Sequence, residues 1–148
     1  MALAERQKLL HDARVIRQHE YGHGYYVVEL ECPDLAASID VGQFLNLRIR
    51  GKGGFNPLLR RPFSVFEVLT DKSGIPTGIS LLYHIVGKGT GLMANYQPGT
   101  EVSLNGPLGK PFPAPADKKT AVYMVGGGIG TAPFLLQAER FMQAEPER

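Results

Sequence analysis

Alternating apolar and polar side chains through most of the first hundred residues, glycine or proline at nearly every corner, and one strand-glycine-helix pattern near the C-terminus predict the fold. It is an all-β Greek-key barrel of six antiparallel strands, followed by the first strand, turn and helix of an α/β unit. Eighteen glycines and eleven prolines in 148 residues favour many turns over a helical bundle. That length holds one domain with a sizeable core and the beginning of a second. We expect residues 1–110 to form the barrel, 111–119 a linker containing three prolines, and 120–148 the incomplete α/β domain.

Leu3 to Ala13 has apolar residues near helical spacing and reads as a short amphipathic lid or docking arm. From Arg14 the period becomes two. Arg14 to His19 and Gly24 to Glu31 form a hairpin whose turn, Glu20 to His23, is marked by Gly22 and Gly24. His19 and His23 have a spacing that binds metal on a helix, which Tyr21 and Gly22 argue against. Cys32 to Ile39 contains one helical turn capped by Asp34. Val41 to Ile49 then alternates, with Phe44 and Asn46 on one face and Leu45, Leu47 and Ile49 on the other. Gly51 to Pro57 is a turning loop.

Arg60-Arg61-Pro62-Phe63-Ser64-Val65-Phe66 is an extended segment rich in bulky residues. Arg61 and Phe63 share one side, Pro62 and Ser64 the other. Pro62 lacks an N–H, so it belongs at an edge or a break in pairing, where a flat anionic ligand can stand in for a neighbouring strand. Arg61 suits a diphosphate, Phe63 a ring face, and the Ser64 hydroxyl a ring heteroatom. The same four residues also suit a plain edge strand with a solvated cation.

Thr70 to Gly78 reads as a connection too rich in glycine and proline to be strand, and Ile79 to Val86 as a strand covered on both faces. In Gly87-Lys88-Gly89-Thr90 the glycines allow successive N–H groups to turn inward as an anion seat, with Thr90 capping a short helix that points its positive end the same way. Thr100 to Asn105 is the sixth strand, closed by the turn Gly106 to Gly109. Thr120 to Val125 has a buried-strand pattern running into Gly126-Gly127-Gly128-Ile129-Gly130-Thr131, then a helix opened by Pro133 and continuing to Gln143. Thr131 stands where the third glycine of a Gly-x-Gly-x-x-Gly turn would be.

The composition excludes several classes. A formal charge of +2, with no basic run of four, gives no stripe for nucleic acid. One cysteine allows no internal disulfide and no cysteine-rich metal site, and no cationic neighbour activates it. No apolar run approaches the roughly 20 residues that span a bilayer. Met1 to Gln7 lacks a signal peptide's apolar centre, so the cytoplasm is the expected compartment.

Four stretches in this order, Arg61-Pro62-Phe63-Ser64, Leu82 to Thr90, Gly106-Pro107-Leu108-Gly109 and Val125 to Phe134, resemble the signatures of the ferredoxin reductase superfamily. The Arg60-Arg61 doublet before Pro-x-Ser and the Gly-Lys-Gly-Thr turn are most similar to those of the dihydroorotate dehydrogenase B electron-transfer subunits. The resemblance implies an FAD-binding barrel. Arg61, Pro62, Phe63 and Ser64 would meet the pyrophosphate and flavin ring, and Leu82, Tyr83 and His84 would run beside the ring or ribityl chain. Gly87, Lys88, Gly89 and Thr90 would seat the pyrophosphate, and Gly127, Gly128, Gly130 and Thr131 would floor the nicotinamide side. His84 departs from an arginine common in the superfamily, and Tyr83 also suits a core aromatic.

The resemblance further implies NAD as the acceptor, a 2Fe-2S cluster, and a catalytic dihydroorotate dehydrogenase subunit as partner in pyrimidine biosynthesis. The cysteines for the cluster are absent here. A parallel strand with one helix lacks the neighbours of a complete nucleotide domain, so the chain is expected not to complete the electron transfer alone. An uncovered apolar face on the 133–143 helix would favour homodimers. Two other readings remain open: a sister flavoprotein subunit of a sulfide or ferredoxin NAD(P) oxidoreductase, and a cofactor-free barrel that only binds a partner.

Overall fold

The computed structural model describes residues 9–49, 56–115, 117 and 120–144. The chain runs β1 (Leu10–Gly22), β2 (Tyr25–Glu31), α1 (Pro33–Ser38), β3 (Phe44–Arg48), β4 (Arg61–Ser64), β5 (Glu67–Thr70), β6 (Pro76–His84), α2 (Lys88–Met93), β7 (Glu101–Leu108), a 3-10 turn (Gly128–Thr131) and α3 (Phe134–Ala144). The sheet is antiparallel, with the order β4-β3-β7-β1-β2-β6-β5.

Its two terminal strands are consecutive in the chain. The single strand expected at Arg60–Phe66 is broken at Val65–Phe66: β4 pairs with β3, and the chain then crosses so that β5 pairs with β6 and the Phe66 N–H bonds the Ser80 carbonyl at 2.9 Å. This crossing makes seven strands of the expected six and brings the two ends of the sheet together, as a strand that switches partners turns a corner. Val65, at the break, is buried and anchors the crossing in the core.

The core is the inward face of these strands. Leu45, Leu47 and Ile49 are fully buried while Phe44, Asn46 and Arg48 are half-buried, the alternation the sequence predicts. Val28, Leu30, Ile79, Leu81, Met93 and Leu104 complete the centre. Cys32 lies in this core with its thiol donating to the Leu30 carbonyl, and burial pushes it up to about 12.

Several boundaries differ from expectation, each for a local reason. Leu10 to Ala13 is strand, not part of an amphipathic arm, because its backbone pairs with Val102 to Asn105 of β7; Leu3 to Lys8 lie outside the described residues. The hairpin turn narrows to His23-Gly24, whose φ values of 53° and 78° suit the primed two-residue turns that match strand twist. Asp34 is not the cap of α1: the cap is Cys32, with Pro33 opening the helix and Asp34 in its first turn. Pro76 to Gly78 are strand, since Pro76 comes first, where a missing N–H is tolerated, and Gly78 sits where a β-carbon would overlap the Leu30 carbonyl. Gly106 and Pro107 lie within β7, at a register shift against β3, instead of in a turn. Most of the loop expected at Gly51–Pro57 lies outside the described residues.

The end of the chain departs most. Residues 121–125 take no strand partner among the described residues, and Tyr123 and Val125 are 86% and 91% exposed. A parallel strand is stable only with neighbours on its edges and cover on its faces, and the described residues supply neither. The helix forms as expected: the Pro133 carbonyl accepts the Gln137 N–H, and the Phe134 ring packs where a β-carbon on Gly126 would stand. Its apolar face is covered in part: Leu136 joins the barrel core and Ala132, just before the helix, is buried, while Met142 is 71% exposed. Among the described residues no helix is long and apolar enough to cross a membrane.

Candidate functional site

The barrel wall has an open seam. The β5–β6 ladder ends at Glu67 opposite Ser80, so among the described residues Leu82, Tyr83 and His84 have no strand partner on that side and β4 pairs only with β3. Between these two unpaired edges lies a cleft of about 550 Å³. It is lined by residues 61–64 of β4, 82–84 of β6 and 87–90 at the start of α2. Of the sequence-predicted residues, Gly130 also lines it, whereas Gly127, Gly128 and Thr131 do not; the Thr131 hydroxyl instead turns back to the Gly128 carbonyl at 2.9 Å. Val86, Ile129 and Ala132 line the cleft too. They are apolar neighbours of the predicted motifs, with no chemistry of their own to mark them in the sequence.

Arg61 and the glycine turn meet. A β-carbon on Gly89 would stand 3.8 Å from Arg61 Cγ and 3.9 Å from Pro57 Cγ, so the arginine stem runs beside the turn. Arg61 Nη1 donates to the carbonyls of Leu59 at 3.0 Å and Arg60 at 3.3 Å, which uses two of the five guanidinium donors. The ion pairs Arg14–Glu101 and Arg17–Glu29 lie elsewhere, and among the described residues no carboxylate pairs with Arg61. Its sequence neighbour does something else: Arg60 grips the outside of the barrel, donating to the Ser103 carbonyl at 2.7 Å and hydroxyl at 3.0 Å.

Thr90 shapes the turn in a way the sequence reading places differently. It is the third residue of α2 rather than its cap, and its hydroxyl reaches back to accept the N–H groups of Val86 at 3.0 Å and Gly87 at 3.3 Å. Those two donors are consumed internally. The N–H groups that helical geometry leaves without an intrahelical acceptor are those of Lys88, Gly89 and Thr90.

The floor beside β4 and β6 is aromatic. Phe63 meets Tyr83 edge-on at 6.3 Å, and Tyr83 stacks on Tyr26 at 5.4 Å. Tyr83 is only 1% exposed, and its hydroxyl donates to Gln18 Oε1 at 2.9 Å. Burial raises its pKa well above the usual tyrosine value, with Tyr26, Tyr96 and Glu20 adding to it, so the hydroxyl stays a donor. Tyr83 is thus a core aromatic whose ring borders the cleft. His84 stacks on Tyr25 at 4.3 Å, with Nε2 3.1 Å from the His23 carbonyl, which ties the rim to the β1–β2 turn.

A larger groove of about 730 Å³ runs past Arg14, Arg48, Tyr96 and Glu101, but its wall mixes both charges and gathers none of the predicted residues. Among the described residues no three of His, Cys, Asp and Glu are placed to hold a metal ion.

The barrel and its seam define a domain of the ferredoxin reductase type. Solved structures that superpose on it include the ferredoxin reductase in carbazole 1,9a-dioxygenase, with a TM-score of 0.74, 20% identity, and 93% of this chain and 40% of that one covered. Another is the Amycolatopsis cytochrome P450 reductase GcoB, with a TM-score of 0.71, 23% identity, and 94% and 40% covered. No protein-family model matches the chain. The sequence is 38% identical over 130 residues to the dihydroorotate dehydrogenase B (NAD(+)) electron transfer subunit of Desulforamulus reducens, covering 85% of this chain and 46% of that one. It is 43% identical over 95 residues to that of Geobacillus kaustophilus, covering 62% and 34%. Over most of its length the chain is homologous to dihydroorotate dehydrogenase B electron-transfer subunits, and it spans about half the length of the curated relatives it matches.

Proposed function

We propose that the seam between β4 and β6 is an FAD site. On this reading the chain is the flavin-holding part of a subunit that takes electrons from dihydroorotate oxidation by a catalytic partner in the cytoplasm and passes them to NAD. The observation that supports it is the convergence of the Arg61 stem, the Gly87–Thr90 turn and the unpaired ends of β4 and β6 on one cleft. The residues fit the group. A guanidinium and the first N–H groups of α2 suit a diphosphate, and the Phe63–Tyr83 floor with the Ser64 hydroxyl suits a heteroaromatic ring. Bound FAD would supply the exchange between single electrons and hydride.

The protein's own part is to hold and orient. Arg61 and the α2 amides fix the diphosphate end, Ser64 and the aromatic floor border the ring, and Gly130, with Ile129 and Ala132, faces the cleft on the nucleotide side. The division into a barrel at 1–110, a linker at 111–119 and the start of an NAD-binding unit at 120–148 belongs to the same proposal. An iron-sulfur cluster does not fit this chain. Such a cluster takes four thiolates, and the single cysteine is buried with a thiol that resists ionisation. No step is derived through it. The test is to incubate the purified chain with FAD, remove free flavin by gel filtration and record the visible spectrum. A flavin spectrum on the protein peak, lost in Arg61→Ala, is expected; wild-type protein that elutes colourless defeats the proposal.

A further inference from the structure

We infer that Gln18 is a positioning residue for the flavin site, linking the strand under the ring to the helix under the diphosphate; this rests on the FAD reading above. Gln18 does not line the cleft. It reaches the barrel interior because β1 carries a bulge. Val15 pairs with Leu30 and Arg17 with Glu29, so Ile16 is the extra residue, and Gln18 then faces inward opposite the fully buried Val28. Without the bulge, strict alternation from Val15 would send Gln18 to solvent and Arg17 inward.

Placed there, one amide serves both halves of the cleft. Its Oε1 accepts from the Tyr83 hydroxyl at 2.9 Å, and its Nε2 donates to the carbonyls of Met93 and Ala94, each at 3.1 Å. Those carbonyls end α2, a helix of six residues whose opposite end is the Gly87–Thr90 turn. So short a helix has little stability of its own and depends on outside contacts. Thr90 ties its start, while at its end the Met93 side chain is buried and Gln18 holds the carbonyls. The same amide fixes Tyr83, which packs against Phe63 at the cleft floor. A glutamine is required for this: an acceptor must face Tyr83 and a two-proton donor must face the helix, and no apolar side chain offers either.

Two readouts test the link. Gln18→Met keeps the length of the side chain and removes both functions. In the FAD-free protein, amide hydrogen exchange over residues 91–96 is expected to speed up while β2 and β6 keep their protection. The FAD dissociation constant is expected to rise about tenfold, the effect of one to two lost hydrogen bonds. Gln18→Glu keeps the acceptor for Tyr83 and loses the donors, and it serves if Gln18→Met does not fold. Its FAD affinity is expected to improve as the pH is lowered and the carboxyl regains a proton to donate to α2, while wild-type affinity stays level; a purely structural role would give no such profile. Exchange and affinity both at wild-type values overturn the inference, as does faster exchange with unchanged affinity. If the wild-type chain takes up no FAD, the flavin reading falls and this inference with it, a result separable from the others because it appears before any substitution is made.

Discussion

The stem of Arg61 lies alongside Gly89, close enough that a β-carbon on that glycine would touch Arg61 Cγ at 3.8 Å. The two residues come from different elements, so the arginine stem and the start of α2 border one cleft. Arg61→Ala removes the cation and leaves the amides. FAD affinity is expected to fall by about 1.5–3 kcal/mol, the usual worth of a hydrogen bond to a charged group. Titration of the two proteins with FAD, followed by flavin fluorescence, gives the difference; equal dissociation constants would take Arg61 out of the site.

Arg60 supplies the contrast. Its guanidinium holds Ser103 on β7 and reaches the Asn46 carbonyl on β3 at 3.4 Å, away from the cleft. Arg60→Ala is expected to destabilise the barrel by about 1–2 kcal/mol through these lost bonds while leaving FAD affinity within twofold of wild type. Urea unfolding and FAD titration on one preparation separate the two effects. A large loss of affinity with little loss of stability would show that the doublet acts as a unit.

These arginines also show where the sequence was legible and where it stopped. The motifs carrying distinctive chemistry, Arg61 to Ser64 and Gly87 to Thr90, could be read because proline, arginine and glycine constrain a backbone wherever they stand, and both came to one cleft. The apolar alternation of β3 was equally plain. Features set by partners distant in sequence were not readable. The break at Val65–Phe66 arises where the chain crosses between the two ends of the sheet, and the bulge at Ile16 has no glycine to announce it. The Thr120–Val125 pattern is that of a buried strand, yet pattern alone does not supply the neighbours a parallel strand requires.

Gly78 allows β2 and β6 to approach closely. A β-carbon there would overlap the Leu30 carbonyl oxygen, and backbone on both sides leaves nothing flexible to yield. Gly78→Ala is therefore expected to cost about 1–3 kcal/mol, although alanine is the better strand residue in the abstract. The denaturation midpoint should drop with no change in the slope against urea. An unchanged midpoint would mean that the strands move apart without penalty.

Cys32 gives the barrel a sensitivity to alkali. The thiol is 3% exposed and is held up to about 12 by burial, against an ordinary value of 9.0. In the folded chain it stays protonated at pH values where the unfolded chain has already lost the proton, so the unfolded state binds fewer protons and stability declines as pH rises. The contribution is complete below about pH 9 and disappears progressively toward about pH 12. Tyr96, raised by burial to about 12, and Tyr83, raised also by burial, add to the decline above the ordinary tyrosine value of 10.0. Urea midpoints measured at closely spaced pH values should therefore begin to fall near pH 9 in the wild type. In Cys32→Ala the fall should begin about one pH unit later, when the tyrosines titrate, from a starting stability lowered by the small cavity. The native thiol should also resist iodoacetamide at neutral pH and react once the chain is unfolded, because the thiolate is the reactive form. Rapid labelling of the folded protein, or a wild-type curve that stays level from pH 9 to pH 10, would show that this thiol is not held in the dry interior from which its resistance follows.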